Sequence, residues 1–201
     1  MDKPGLQAAL AGRKVDAVVI GASAGGVHAL LEILPGLPKA CPYPIVAVLH
    51  VMRSRQSQLA EVFQQRLALR VLEALDKDEL RAGTLYFAPA GYHLSVEEGG
   101  ILSLSQEEPV HFARPAIDIT MTSAADVYGP NLVGILLTGA NQDGAAGMAA
   151  IGEAGGLTVV QDPAEAQVAV MPNEAIRLRQ PDLVLTLQEI RSLLMKLENK
   201  Q

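Results

Sequence analysis

The chain has 201 residues and a net charge of −6, with 49% of its residues apolar and 19% charged. That balance excludes an extended disordered protein and fits one α/β domain with a full-sized core. The acidic charge without any basic run excludes the electrostatic footprint of nucleic-acid binding.

No run of about 18 apolar residues is present to span a bilayer, so membrane insertion is not expected. Residues 1–14 lack the charged-then-apolar layout of a secretory signal, which makes a cytoplasmic location the default expectation. Cys41 is the single cysteine, so an intrachain disulfide and a thiolate metal cluster are both ruled out. Without tryptophan and with 3% aromatic residues, a base- or sugar-stacking surface is disfavoured.

In chain order, residues 1–14 read as an N-terminal extension and residues 15–201 as one domain. Val15 to Ile20 is a short apolar run ending in Gly21, a buried strand. Gly25 to Leu34 follows at helical spacing and is stopped by Pro35-Gly36. Pro44 to Leu49 is a second strand, closed by His50. Gln58 to Leu69 reads as an amphipathic helix with Leu59, Val62, Phe63 and Leu67 on one face. Thr84 to Ala88 is a strand, and His93 to Val96 with Ile101 to Leu104 flank a hairpin turn at Glu97-Glu98-Gly99-Gly100.

Pro115 suits the first turn of a helix running to Tyr128. Asn131 to Thr138 is a strand, Gly144 to Ala154 a small-residue helix, Leu157 to Gln161 and Asp182 to Leu187 further strands. Gln188 to Asn199 closes the chain as a helix. This alternation predicts an α/β fold: a doubly wound, mostly parallel sheet flanked by helices, with one antiparallel hairpin.

Ligands of such sheets bind at the carboxyl ends of the strands. Three strand exits there supply Ser23, His50 and, in the Thr138–Asp143 loop, Asp143. Ser23 sits in Gly21-Ala22-Ser23-Ala24-Gly25-Gly26 between a strand and a helix. Glycines allow the sharp turn, and free N–H groups at a helix start can hold a developing oxyanion. The segment alone also reads as a tight turn or a phosphate-cradling loop. A serine needs a base to take its proton, and His50 leaves the neighbouring strand on the same edge. Asp143 alone reads as a helix N-cap; with His50 it fixes the tautomer and stabilises the imidazolium. His28 reads as a helix-surface residue, while His93 and His111 carry no metal-ligand spacing; no metal and no cofactor are expected.

These residues match a family. Val19-Ile20-Gly21-Ala22-Ser23-Ala24-Gly25-Gly26 resembles the nucleophile turn of the bacterial chemotaxis protein-glutamate methylesterases (CheB type), and the strand ending in His50 resembles their histidine strand. Arg114-Pro115-Ala116-Ile117-Asp118 is similar to their Arg-Pro-x-x-Asp segment. Leu136-Leu137-Thr138-Gly139 through Asp143-Gly144-Ala145-Ala146-Gly147 resembles their aspartate loop, and Met171-Pro172-Asn173-Glu174-Ala175-Ile176 a late motif. The blocks occur in family order from Val15 to Leu194.

The resemblance implies a carboxylic ester hydrolase that cleaves γ-glutamyl methyl esters on chemoreceptor helices and, in some members, deamidates receptor glutamines. It implies Ser23 as nucleophile, His50 as base and then acid, Asp143 as its orienting partner, and the N–H groups of Ala24 and Ala140 as oxyanion hole. Arg114 holds the substrate segment or makes a surface ion pair. The implied partners are the cytoplasmic helices of methylated chemoreceptors and a separate receiver or chemotaxis signalling protein.

Two departures stand out. The family commonly carries Met and Gly at the positions of Ala140 and Asn141, and an N-terminal receiver domain; here about 14 residues precede the first strand, as in an excised or a stand-alone catalytic domain. The rival readings are a related hydrolase of another ester or amide, a non-catalytic module of this fold, and a nucleotide-binding oxidoreductase. The last is opposed by the absence of G-x-G-x-x-G and Tyr-x-x-x-Lys.

Overall fold

In the computed structural model, which describes residues 9–50 and 59–198, seven strands form one fully parallel sheet in the order β3-β4-β2-β1-β7-β8-β9. The strands are β1 (Ala17–Ala22), β2 (Ile45–Leu49), β3 (Arg70–Glu73), β4 (Thr84–Phe87), β7 (Leu132–Leu136), β8 (Leu157–Gln161) and β9 (Leu183–Leu185). A separate antiparallel pair, β5 (His93–Glu97) and β6 (Ile101–Ser105), is the expected hairpin. Besides a helix end at residues 9–10, the α-helices among the described residues are α1 (Gly26–Ile33), α2 (Leu59–Gln64), α3 (Ile117–Tyr128), α4 (Ala145–Glu153), α5 (Val170–Leu178) and α6 (Leu187–Glu198).

The central strands are apolar on both faces because both faces are covered. Every residue of β1, β2, β7 and β8 is buried, as expected of inner strands in a parallel sheet, and in β8 this includes the polar Thr158 and Gln161. Alternate residues of β1 serve opposite cores. Val18 and Ile20 pack with Leu30, Ile33, Phe63 and Leu193, while Ala17 and Val19 pack with Ile117, Met121, Met148 and Met171. The result is a three-layer sandwich with α1, α2 and α6 on one face and α3, α4, α5 and the hairpin on the other.

Several expected boundaries move. The helix expected over Gln58 to Leu69 is shorter, Leu59–Gln64 among the described residues, and Val62 is exposed while Leu59 and Phe63 are buried. Leu67 is buried beyond the helix end. Gln58, Asn199 and residues 1–8 of the expected extension lie outside the described residues. Pro115 precedes α3 rather than opening it. Two elements were not expected, β3 and α5. Strand β3 is a four-residue edge strand with one buried residue, too short to show a period. Helix α5 holds Pro172 at its third position, inside the first turn, where its missing N–H removes no hydrogen bond.

The strand order positions the site. The chain builds outward from β1 through β2 to β4 and β3, then returns to place β7 on the other side of β1. β1 therefore flanks the point where the winding reverses, and the crevice beyond its carboxyl end is where such sheets take ligands.

Candidate active site

Ser23 follows β1 directly, and its backbone is clamped from both sides. Its N–H donates to the Thr138 carbonyl (2.9 Å) and its carbonyl accepts from Gly26 N–H (2.8 Å). Between them Gly25 turns the chain with φ of 83°, a left-handed backbone that glycine adopts without strain. A side chain there would also strike Gln167 Oε1 at 2.6 Å and Thr138 Cγ2 at 3.0 Å. His50 is in register one step beyond the Ala22–Leu49 pair, and its N–H donates to the Ala22 carbonyl (3.1 Å). The Ser23 turn and His50 are thus held by adjacent strand ends.

Asp143 arrives from the β7 exit. Its side chain is 0% exposed, and His50 Nε2, on a ring only 14% exposed, lies 2.9 Å from Asp143 Oδ2. That approach lies off the ring N–H axis, since Nε2 makes no aligned hydrogen bond. Asp143 does not cap its own following helix; Gly144 stands at that N-cap without a side-chain bond. Its carboxylate instead caps α3, accepting from Ile117 N–H at Oδ2 (2.7 Å) and Asp118 N–H at Oδ1 (3.0 Å). Asp118 returns the arrangement: its Oδ1 accepts from Gly144 N–H (2.9 Å) and Gly147 N–H (2.7 Å) at the start of α4. Each helix start is closed by an aspartate adjoining the other, which fixes the β7 loop to α3. The two helices press together at Gly147, where an added Cβ would lie 2.5 Å from Met121 Cβ.

The two carboxyls diverge electrostatically. Burial alone pushes Asp143 up, but the His50 ring and the N–H groups of Asp118 and Ile117 more than offset this and hold it below its ordinary value of 3.8. Burial lifts Asp118 above 3.8, against the pull of the Gly147 N–H and with the Asp143 charge adding to the rise. Asp143 is accordingly the ionised partner facing His50, the state an imidazolium needs beside it.

Ser23 and His50 line one open cavity of about 430 Å³, with Arg114, Asn141 and the pair His111–Phe112 around its rim. The Ala24 and Ala140 N–H groups have no backbone acceptor among the described residues. The loop that carries Ala140 is braced on the start of α5 and the segment before it: Gly139 N–H donates to Val168 O and Met171 N–H to Gly139 O, both 3.0 Å. Thr138 Oγ1 adds a bond to Ala24 O (2.8 Å) and accepts from Val168 N–H (2.9 Å). The late motif therefore supports the Ala140 loop from behind. Asn141 sits in ordinary backbone space and accepts from Asp143 N–H (3.3 Å), so the loop needs no glycine there.

Among the described residues Arg114 makes no ion pair, and its side chain is not a free arm. Its Nη1 donates to the carbonyls of Gln106 and Glu107, both at 2.9 Å, which ties down the segment after β6. His93 is wholly buried and structural: Ala116 N–H donates to Nδ1 (3.2 Å) and Nε2 donates to Glu108 O (3.0 Å). His28 is the expected surface residue, 3.6 Å from Glu32 one turn on. Cys41 is buried in the core. Among the described residues there is no His, Cys, Asp or Glu cluster able to hold a metal, and no helix long and apolar enough to cross a membrane.

The sequence model of the CheB methylesterase family matches residues 18–194. The chain belongs to the CheB methylesterase family. Its fold superposes on the crystal structure of the CheB methylesterase catalytic domain of Thermotoga maritima with a TM-score of 0.87 at 33% identity, covering 92% of this chain and 99% of that one. A Leptospira interrogans protein, whose name gives protein-glutamate methylesterase/protein-glutamine glutaminase provisionally, is 42% identical over 91% of this chain and 95% of its own length. The Carboxydothermus hydrogenoformans protein-glutamate methylesterase/protein-glutamine glutaminase 1 is 43% identical over 86% of this chain, but the match spans only 52% of its length. Against this relative, then, the chain corresponds to about half.

Proposed function

We propose that this CheB-family chain is a protein-glutamate methylesterase: it hydrolyses γ-glutamyl methyl esters on the signalling helices of chemoreceptors and releases methanol. The observation that carries the reading is the 2.9 Å approach of His50 to an ionised, fully buried Asp143, in the cavity that His50 shares with Ser23. The relatives' names support the substrate class.

In this reading Ser23 Oγ attacks the ester carbonyl carbon as His50 takes its proton. With Nε2 turned to Asp143, Nδ1 is the nitrogen left to do so. The carbonyl oxygen becomes an oxyanion held by the Ala24 and Ala140 N–H groups, which have no backbone acceptor among the described residues and so suit the role. As the tetrahedral centre collapses, methoxide leaves with the proton from His50, as methanol. Water, deprotonated by His50, then attacks the γ-glutamyl ester on Ser23 and frees both the glutamate and the serine. A glutamine side chain would follow the same course with ammonia as leaving group. Arg114 contributes by holding the rim of the cavity in place, through its bonds to Gln106 and Glu107, and it lines the cavity that would receive the substrate segment.

The test is methanol release from methylated chemoreceptor membranes by the wild type and by Ser23→Ala. Release by the wild type, reduced by on the order of 10⁴-fold or more in the variant, is the expected result. Methanol release undiminished by Ser23→Ala would overturn the assignment of the nucleophile.

A further inference from the structure

Val110 and Ala113 exchange both backbone hydrogen bonds (3.1 and 2.8 Å), leaving His111 and Phe112 as the two central residues of a tight hairpin. Both have positive φ, 50° and 62°. A two-residue turn of this hand favours Asn and Gly, and a bulky residue in left-handed backbone is strained. Packing does not account for the phenylalanine either, because Phe112 is 104% exposed. Neither turn geometry nor core burial selects an aromatic ring here. Strain of this kind persists where surrounding structure over-determines it, and it gathers at functional sites.

The surroundings do over-determine it. Arg114 and His93 bind the carbonyls of Gln106, Glu107 and Glu108 just before the turn. His111 itself lies 3.4 Å from Asp118 Oδ2 through Nε2 and 3.1 Å from Gln142 Nε2 through Nδ1. The ring is thus held out in solvent on a braced stem, between two cavities. On one side is the cavity of Ser23 and His50; on the other is a second, of about 310 Å³, walled by Gln142, Val170 and Glu174. His111, Phe112 and Asn141 border both. Val170 is 46% exposed and continues the apolar surface beyond the ring.

We propose that Phe112 is a specificity-determining residue: a protein substrate straddles its ring, with the esterified glutamate in the Ser23 cavity and a neighbouring apolar side chain in the second cavity against Val170. This rests on the methylesterase reading above. A small ester fills the first cavity alone and never reaches across the ring; a polypeptide segment does both. Because the turn is already rigid, ring burial is not offset by ordering the hairpin.

The experiment compares kcat/KM on a methylated receptor cytoplasmic fragment with kcat/KM on p-nitrophenyl acetate, for wild type, Phe112→Gly, Val170→Asp and the control Leu75→Ala. Leu75 is 64% exposed and borders neither cavity. Phe112→Gly keeps the turn and relaxes it, so its thermal midpoint is expected at or above that of the wild type. The ratio of receptor to small-ester kcat/KM is expected to fall about 10- to 100-fold, chiefly through KM, as for loss of a buried aromatic contact. Val170→Asp is expected to lower the same ratio, and Leu75→Ala to leave it unchanged. A ratio unchanged in folded Phe112→Gly, or lowered equally in Leu75→Ala, overturns the proposal while leaving the methylesterase reading intact. A wild type that hydrolyses p-nitrophenyl acetate but releases no methanol from the receptor overturns that reading, and this inference with it.

Discussion

Asp143→Asn exchanges one carboxylate oxygen for an NH₂ group at a side chain with 0% exposure, where both oxygens are in use. Oδ2 receives the Ile117 N–H at 2.7 Å and faces His50 Nε2 at 2.9 Å, while Oδ1 receives the Asp118 N–H at 3.0 Å. If the amide oxygen takes the Oδ1 place, the NH₂ group confronts the Ile117 N–H and obliges His50 Nε2 to accept. The ring proton then sits on Nδ1, the nitrogen that the proposed mechanism needs as base. If the amide is flipped, its NH₂ confronts the Asp118 N–H, and the imidazolium loses its counter-charge. Either way one buried donor is left without an acceptor, at about 1–3 kcal/mol. For a domain of this size that lowers the thermal midpoint by about 2–12 °C. The wrong tautomer and the missing charge lower kcat by about 10⁴-fold. Methanol-release kinetics and calorimetry on the same preparation read both effects. A variant with kcat within about tenfold of wild type and an unshifted midpoint would refute the reasoning.

Asp118→Ala orphans the Gly144 and Gly147 N–H groups together and is expected to cost about 2–6 kcal/mol in urea unfolding; Asp118→Asn keeps the accepting Oδ1 and is expected to cost far less. Gly147→Ala drives a methyl against Met121 Cβ, 2.5 Å from its ideal position, and is expected to destabilise by about 1–3 kcal/mol while separating α3 from α4. Asp143 sits below its ordinary 3.8, so its ionisation stabilises the fold fully above pH 3.8 and less as the pH falls through its folded value. The stability gap between wild type and Asp143→Asn, measured by urea midpoints, is expected to narrow below pH 3.8. Asp118 is raised and acts in the opposite sense: its contribution is complete below 3.8 and is lost as pH rises through its folded value.

Alternation of apolar runs with helical periods made the layered α/β fold legible, and the rule that ligands sit at strand ends drew Ser23, His50 and Asp143 to one edge. What sequence left dark was tertiary. Which helix Asp143 caps depends on α3 crossing the end of β7, a contact that the Asp143-Gly144 dipeptide does not encode. β3 has one buried residue and so no period to read, and Pro172 disguised α5 because its place in the first turn was not evident. Arg114 read as a substrate-segment holder or a surface ion pair, yet its Nη1 partners are carbonyls seven and eight residues upstream, brought near by the turn after β6. The strained His111–Phe112 tip carries no glycine or asparagine to announce a turn, so its positive φ values were invisible to turn chemistry.

The most direct test of Ser23 as a nucleophile activated by His50 and Asp143 is covalent labelling with a fluorophosphonate, with the modified peptide located by mass spectrometry. Labelling of the wild type at Ser23, lost in Ser23→Ala and strongly slowed in His50→Ala and Asp143→Asn, is the expected result. Labelling at another residue, or at Ser23 with equal speed in all three folded proteins that retain it, would contradict the triad.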